Sequence, residues 1–176
     1  MILISDASVL IDMENGGFIS LMFGLPYIFA TPDILFSEEL SDRHGNLVDY
    51  GLIVKELDSQ LIEEARDLTL RHRNLSFYDI LAFILARSES CPLLTGDGGL
   101  RKFAGTYNIE VFGSIWLVKQ MIDHKKISIE EASLGFEKMR ETGSRLPWDK
   151  VENMLQQQNS KLLKNQVQTP MVIVSE

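Results

Sequence analysis

Short apolar runs alternate with amphipathic stretches along most of the chain. Residues 2–5, 27–30, 52–57, 92–95 and 109–112 each hold several successive apolar positions. That is the pattern of strands buried on both faces. The stretches between them repeat at helical spacing. Residues 60–70 put Leu61, Ile62, Ala65 and Leu68 on one face, and residues 77–88 do the same with Ile80, Leu81, Ile84 and Leu85 behind a capping Ser76. Thr31-Pro32-Asp33 predicts a helix start running to about Ser41, with Thr as cap, Pro in the first helical position and an acid in the first turn. Shorter helical pieces flank Gly16-Gly17, at residues 9–13 and 18–23. Residues 96–99 read as a turn and 100–104 as a short helix. Beyond Gly113 the pattern is helical to about Leu155, in pieces beginning near Ser114, Ser128 and Pro147. Strands alternating with helices predict an α/β fold with a mainly parallel sheet covered on both sides.

One domain over residues 1–155 accounts for this pattern, in a chain of 176 residues. Residues 156–168 are polar and rich in Gln and Asn, the composition of a solvated helix end or a mobile tail. Residues 171–174 turn apolar again, as in a short strand that docks on this chain or on a partner. Residues 16–32 carry no charge, but Gly24, Pro26 and Pro32 divide them, so they read as helix, turn and strand rather than a membrane span. The amino terminus lacks the basic leader of a signal peptide. A single cysteine, Cys91, excludes an internal disulfide and a thiolate zinc site, and suits a reducing, cytoplasmic setting. A net charge of −8 argues against a protein that coats nucleic acid by bulk attraction. It leaves open an enzyme that engages phosphate through a bound metal.

The candidate chemistry lies in four acids. Asp6 directly follows the first strand, and Asp97 stands two residues after the apolar part of the fourth. Both therefore project toward the edge where open parallel sheets bind ligands. Glu39 and Asp79 stand on helices that follow or precede strands. Each acid also has a purely structural use. Asp6 suits a helix cap, Asp79 with Ser76 a capping box, Asp97 a turn beside glycines, and Glu39 beside Glu38 a solvated face. Taken together they point elsewhere. Asp6 and Asp79 interrupt apolar runs, and an isolated buried charge is costly unless paired or bound to a metal. Two unit charges about 5 Å apart repel by roughly 3 kcal/mol at an effective dielectric near 20. A divalent cation removes that conflict, and an all-oxygen donor set suits Mg²⁺ or Mn²⁺. His44, His72 and His124 have no zinc-ligand spacing. A phosphatase with an Asp nucleophile would carry Asp-x-Asp after the first strand, where this chain has Ser8.

These residues resemble the motifs of the PIN-domain family, including the VapC-like toxin ribonucleases. Ile4-Ser5-Asp6-Ala7-Ser8 is similar to the family's strand, Asp, then Ser or Thr. Pro32 to Leu40 carries the family Glu ahead of an aliphatic residue, which favours Glu39 over Glu38. Leu75 to Ala82 holds the helix-starting Asp79, and Leu94-Thr95-Gly96-Asp97 with Leu100-Arg101 resembles the family's fourth motif. The resemblance spans residues 1–112, and the helical segment up to residue 155 is similar to the end of a PIN subgroup. It implies a three-layer α/β/α sandwich with extra C-terminal helices. It also implies a metal-dependent endoribonuclease, with Asp6, Glu39, Asp79 and Asp97 as catalytic metal ligands and Ser8 and Thr95 supporting them. Implied partners are RNA, an antitoxin protein if the chain is a toxin, and a second copy in a homodimer, with no membrane. Arg71, Arg73, Arg101 and Lys102 are candidate RNA contacts. The family's frequent further acid, two residues after the fourth-motif Asp, is Gly99 here. That departure keeps a non-catalytic interaction module as the alternative.

Overall fold

The computed structural model of the chain describes residues 1–167. Five strands form one sheet: β1 (Ile2–Ser5), β2 (Ile28–Pro32), β3 (Ile53–Lys55), β4 (Leu93–Leu94) and β5 (Val111–Phe112). Their order is β3-β2-β1-β4-β5 and every pairing is parallel. β1 is central, and Leu3 and Ile4 on it are fully buried. The chain winds outward from β1 to β2 and β3, then crosses back past β1 to β4 and β5. Right-handed crossovers in opposite directions place their helices on opposite faces, which gives a three-layer α/β/α arrangement. The winding reverses between β1 and β4. At such a point the loops leaving the two strands diverge and a crevice opens beyond their carboxyl ends.

The outward crossovers contain α1 (Ala7–Asn15), α2 (Ile19–Phe23), α3 (Asp33–Leu35), a π-helical turn at Phe36–Leu40, α4 (Ser41–His44) and α5 (Leu47–Tyr50). The return contains α6 (Ser59–Arg71) and α7 (Phe77–Ser88), and α8 (Gly98–Thr106) follows β4. α7 packs across β1, β2 and β4, and it is buried nearly all round because α6 and α8 cover its outer side. α9 (Ser114–Asp123) and α10 (Ile129–Glu141) pack on α1, and α11 (Trp148–Val167) packs on both. α10 approaches the start of α2 at Gly135, where an added β-carbon would overlap the ring of buried Phe18.

Several boundaries differ from the expected ones. Thr31 does not cap a helix. It belongs to β2, pairs with Val54, and donates its hydroxyl to the Ser5 carbonyl at 3.0 Å. The extended pairing of β2 with β3 displaces the helix start, so Pro32 becomes the flanking residue and Asp33 the first helical one. Gly98 and Gly99 lie inside α8 rather than in a turn, because Asp97 supplies the cap one residue earlier. α11 continues through Val167, so the polar stretch after Leu155 is helical as far as the structure describes it. The apolar residues 171–174 lie outside the described residues. Residues 16–32 form helix, turn and strand, and among the described residues no helix is long and apolar enough to cross a membrane.

Candidate active site

The crevice at the reversal point is a cleft of about 610 Å³ lined by Asp6, Ser8, Asp12, Glu39, Asp79, Asp97 and Arg145, among others. All four predicted acids face it. Asp6, Asp79 and Asp97 arrive there because each begins a helix. Asp6 Oδ1 accepts the Val9 amide at 3.1 Å and the Ser8 hydroxyl at 2.8 Å. Asp97 Oδ1 accepts the Leu100 amide at 2.7 Å. Asp79 Oδ2 accepts the Ser76 amide at 2.9 Å, and the Ser76 hydroxyl accepts the Asp79 amide in return. The structural and the chemical uses of these acids therefore coexist. One oxygen ties down a helix start. Among the described residues, Oδ1 of Asp79 and Oδ2 of Asp97 accept no hydrogen bond.

Glu39 reaches the cleft by another route. It sits in the π-helical turn, where one extra residue per turn rotates the following side chains around the axis. Glu39 lines the cleft and Glu38 does not.

Two hydroxyls brace the floor. Thr95, buried at the end of β4, stands by the Asp6 carboxyl, whose pKa it helps to lower, and its hydroxyl accepts the Asp97 amide at 3.0 Å. The Ser8 hydroxyl, besides serving Asp6, accepts the Gly96 amide at 3.3 Å. They link the loops after β1 and β4 across the reversal point.

Electrostatics reflect the crowding. Burial pushes the Asp6 carboxyl up from 3.8 to about 6. Bonds from Thr95, Val9 and Ser8 hold it down in part, and the charge of Asp79 adds to the rise. Glu39 is raised by burial and then by Asp79. The acids face one another across the cleft, yet among the described residues no three His, Cys, Asp or Glu side chains already stand close enough to hold a metal ion. The cap bonds keep the like charges apart. In chemistry the set still fits a hard divalent cation: every donor is oxygen, and two of the aspartates have an uncommitted oxygen.

Other residues are placed differently. Arg71, Arg73 and Lys102 are exposed and do not line this cleft. Arg101 donates to the carbonyls of Val111 at 2.9 Å, Thr95 at 3.1 Å and Phe112 at 3.3 Å, so its fork pins the ends of β4 and β5 together. Gly113 leaves room for it, since a β-carbon there would lie 3.1 Å from the guanidinium. Arg101→Met is expected to cost about 1 kcal/mol, read as a lower melting temperature, because three charge-assisted bonds across β4 and β5 are lost. An unchanged melt would show that the fork carries no load. Asp12 and Arg145 line the cleft without having been selected from the sequence. Asp12 is buried, accepts the Ser114 hydroxyl at 2.6 Å, and lies one helical turn after Ser8 in an otherwise apolar stretch. The signal that singles out Asp6 and Asp79, an acid among apolar residues, holds for Asp12 as well. Arg145 comes from the loop before α11, in the Gly143-Ser144-Arg145-Leu146 run that resembles the end of a PIN subgroup, a resemblance that assigns it no role.

Fold and cleft together define a doubly wound α/β protein with an acidic, oxygen-donor pocket at its reversal point. A family model described as a PIN domain matches residues 2–160. The chain belongs to the PIN-domain family, whose members are generally nucleases that use divalent cations. Among solved structures, it is similar to a PilT N-terminus domain protein from Sulfolobus solfataricus P2, with TM-score 0.46 and 15% identity, covering 66% of this chain and 90% of that one. It is also similar to a protein from Pyrobaculum aerophilum, with TM-score 0.46 and 16% identity, covering 68% of this chain and 98% of that one. No curated protein matches the sequence.

Proposed function

We propose that the chain is a metal-dependent endoribonuclease that hydrolyses RNA phosphodiester bonds. The observation that carries this reading is the convergence of Asp6, Glu39, Asp79 and Asp97 on one cleft, from elements far apart in the chain. These four residues would hold Mg²⁺ or Mn²⁺. When bound, such a cation supplies a water of lowered pKa and offsets charge on the phosphate. The chain's own residues do the rest. Ser8 and Thr95 fix the orientation of Asp6. The amino-terminal ends of α1, α7 and α8 lend partial positive charge where the acids crowd. Arg145 brings a full positive charge to the rim, suited to a phosphate oxygen.

The test is incubation of purified protein with end-labelled single-stranded RNA, with and without Mn²⁺, beside Asp79→Asn and Asp97→Asn. Cleavage is expected with metal only, and in neither variant. Mn²⁺ should also raise the melting temperature, by about 2.7 kcal/mol of added stability at roughly a hundred times its Kd. That gain should shrink below pH 6, where the proton on Asp6 competes with the cation. Cleavage that persists in both variants without metal would sink the reading. The toxin role predicts growth arrest on expression, relieved by Asp79→Asn. Normal growth beside clear nuclease activity assigns RNA processing instead.

A non-catalytic interaction module is the second reading. Gly99 in place of a further acid, and carboxylates that do not already close on one point, favour it. It predicts no stabilisation by Mn²⁺ and identical behaviour of wild type and Asp97→Asn.

A further inference from the structure

Beside the acidic cleft, and sharing Gly96 and Arg145 with it, lies a second pocket of about 360 Å³. Its character is the opposite. Arg101, Lys119, Arg145 and Lys150 line it and no acid does, in a chain whose net charge is −8. Ile115, Trp116, Leu146 and Pro147 form an apolar wall. Two of the cations are already engaged: Arg101 on backbone carbonyls, and Lys119 with Asp123 at 2.5 Å. Arg145 and Lys150 make no side-chain hydrogen bond or ion pair among the described residues, and the same holds for the Trp116 indole N–H.

We propose that this pocket is a subsite for one unpaired nucleotide next to the bond that is cut. It rests on the nuclease reading above and adds where the strand is held beyond the acids. Three features carry the assignment. The volume falls in the range of small-molecule sites, about 300–1,000 Å³, which accommodates one base but no duplex. An apolar wall edged by cations suits a flat base with its phosphate, since stacking tolerates any sequence while cations track the backbone. Arg145 faces both pockets, so a phosphate held there joins the nucleotide in the basic pocket to the one over the acids. A base in a helix has its edge engaged and its faces covered, so only a single strand or loop presents one to this wall.

The experiment is fluorescence anisotropy of a fluorescein-labelled single-stranded RNA octamer, in EDTA, so that binding is read without cleavage. The proteins are wild type, Arg145→Met, Lys150→Ala and the double variant. Each single change is expected to weaken binding several-fold and the double roughly tenfold, with about 0.7 lost per cation from the slope of log affinity on log salt. Duplex RNA of the same sequence should bind more weakly than the single strand and should not distinguish wild type from the variants. In a Trp148→Phe background the octamer should quench emission from Trp116, which reads the pocket directly in an otherwise intact site. A double variant that melts like wild type and binds the octamer equally well would overturn the subsite, even if Mn²⁺-dependent cleavage is present. Weakened binding in the variants together with absent cleavage would retain the subsite and remove the nuclease reading. Failure of wild type to bind the octamer would overturn the subsite outright.

Discussion

Asp6→Asn is expected to lose at least about a hundredfold in cleavage and, in metal-free buffer at pH 8, to melt at a higher temperature than wild type. Loss of the partners that merely support a metal ligand typically costs 10–100-fold, and Asp6 would be a ligand itself. The gain in stability follows from the carboxyl's folded pKa of about 6 against 3.8 for the free group. A raised acid favours folding fully below the lower value, and that contribution is lost as pH rises through the higher one. Above pH 6 the ionised form therefore costs the fold on the order of 3 kcal/mol. Asparagine removes that cost and keeps an oxygen for the Val9 amide and the Ser8 hydroxyl, since Asn caps helices about as well as Asp. About 2 kcal/mol should remain after the new amide finds partners, or roughly 4–8 °C for a chain of this size. Melting curves in EDTA from pH 4 to pH 8 check this. The two proteins should converge near pH 4 and separate by pH 7, and added Mn²⁺ should narrow or reverse the gap. A variant that is equally destabilised at every pH would mean that Asp6 is a structural acid with no conflict to relieve.

Gly135→Val is expected to destabilise the protein by about 3 kcal/mol or more, with a fall of roughly 6–12 °C. In an exposed helix, replacing glycine would help, by up to about 1 kcal/mol for alanine. Here packing decides. The β-carbon would occupy the space of the Phe18 ring, and the ring also lies close against Gly16, which leaves it little room to shift. Phe18 is buried and cannot swing out into solvent. Phe18→Ala placed on Gly135→Val should return part of the loss, although it is destabilising alone. Thermal denaturation of the three variants measures the coupling. A Gly135→Val protein that melts within a degree of wild type would refute the close approach of α10.

The parts of the fold that were legible in the sequence rest on local rules. Ile2–Ser5 reads as a strand because an unbroken apolar run of that length fits a strand buried on both faces. α7 reads as a helix because Ser76 and Asp79 form a capping box that can be seen without tertiary information. The same locality makes three of the acids legible, since Asp6 and Asp97 cap helices and Asp79 closes the capping box of α7. Glu39 is different. Choosing it over Glu38 relied on resemblance, because helical spacing does not reveal a π-helical turn. Thr31 looked like a cap because Thr-Pro-Asp has that composition, and only the pairing of β2 with β3 reveals otherwise. Arg101 looked like a phosphate contact because its charge is visible, whereas its three carbonyl partners come from β4 and β5 brought side by side. Arg145 reaches the cleft only once α9 and α10 have packed on α1 and brought the loop after α10 to its rim. Such misses share one cause: the deciding neighbour is distant in sequence.

The strand order has a bearing on how the protein is made. Asp6 is synthesised before Asp97, which cannot stand beside it until β4 has been made and has paired with β1. Domains assemble as units once their strands are complete. A chain still being translated therefore holds only a fragment of its acidic cluster, and the cleft closes around all four acids only when β4 joins the sheet.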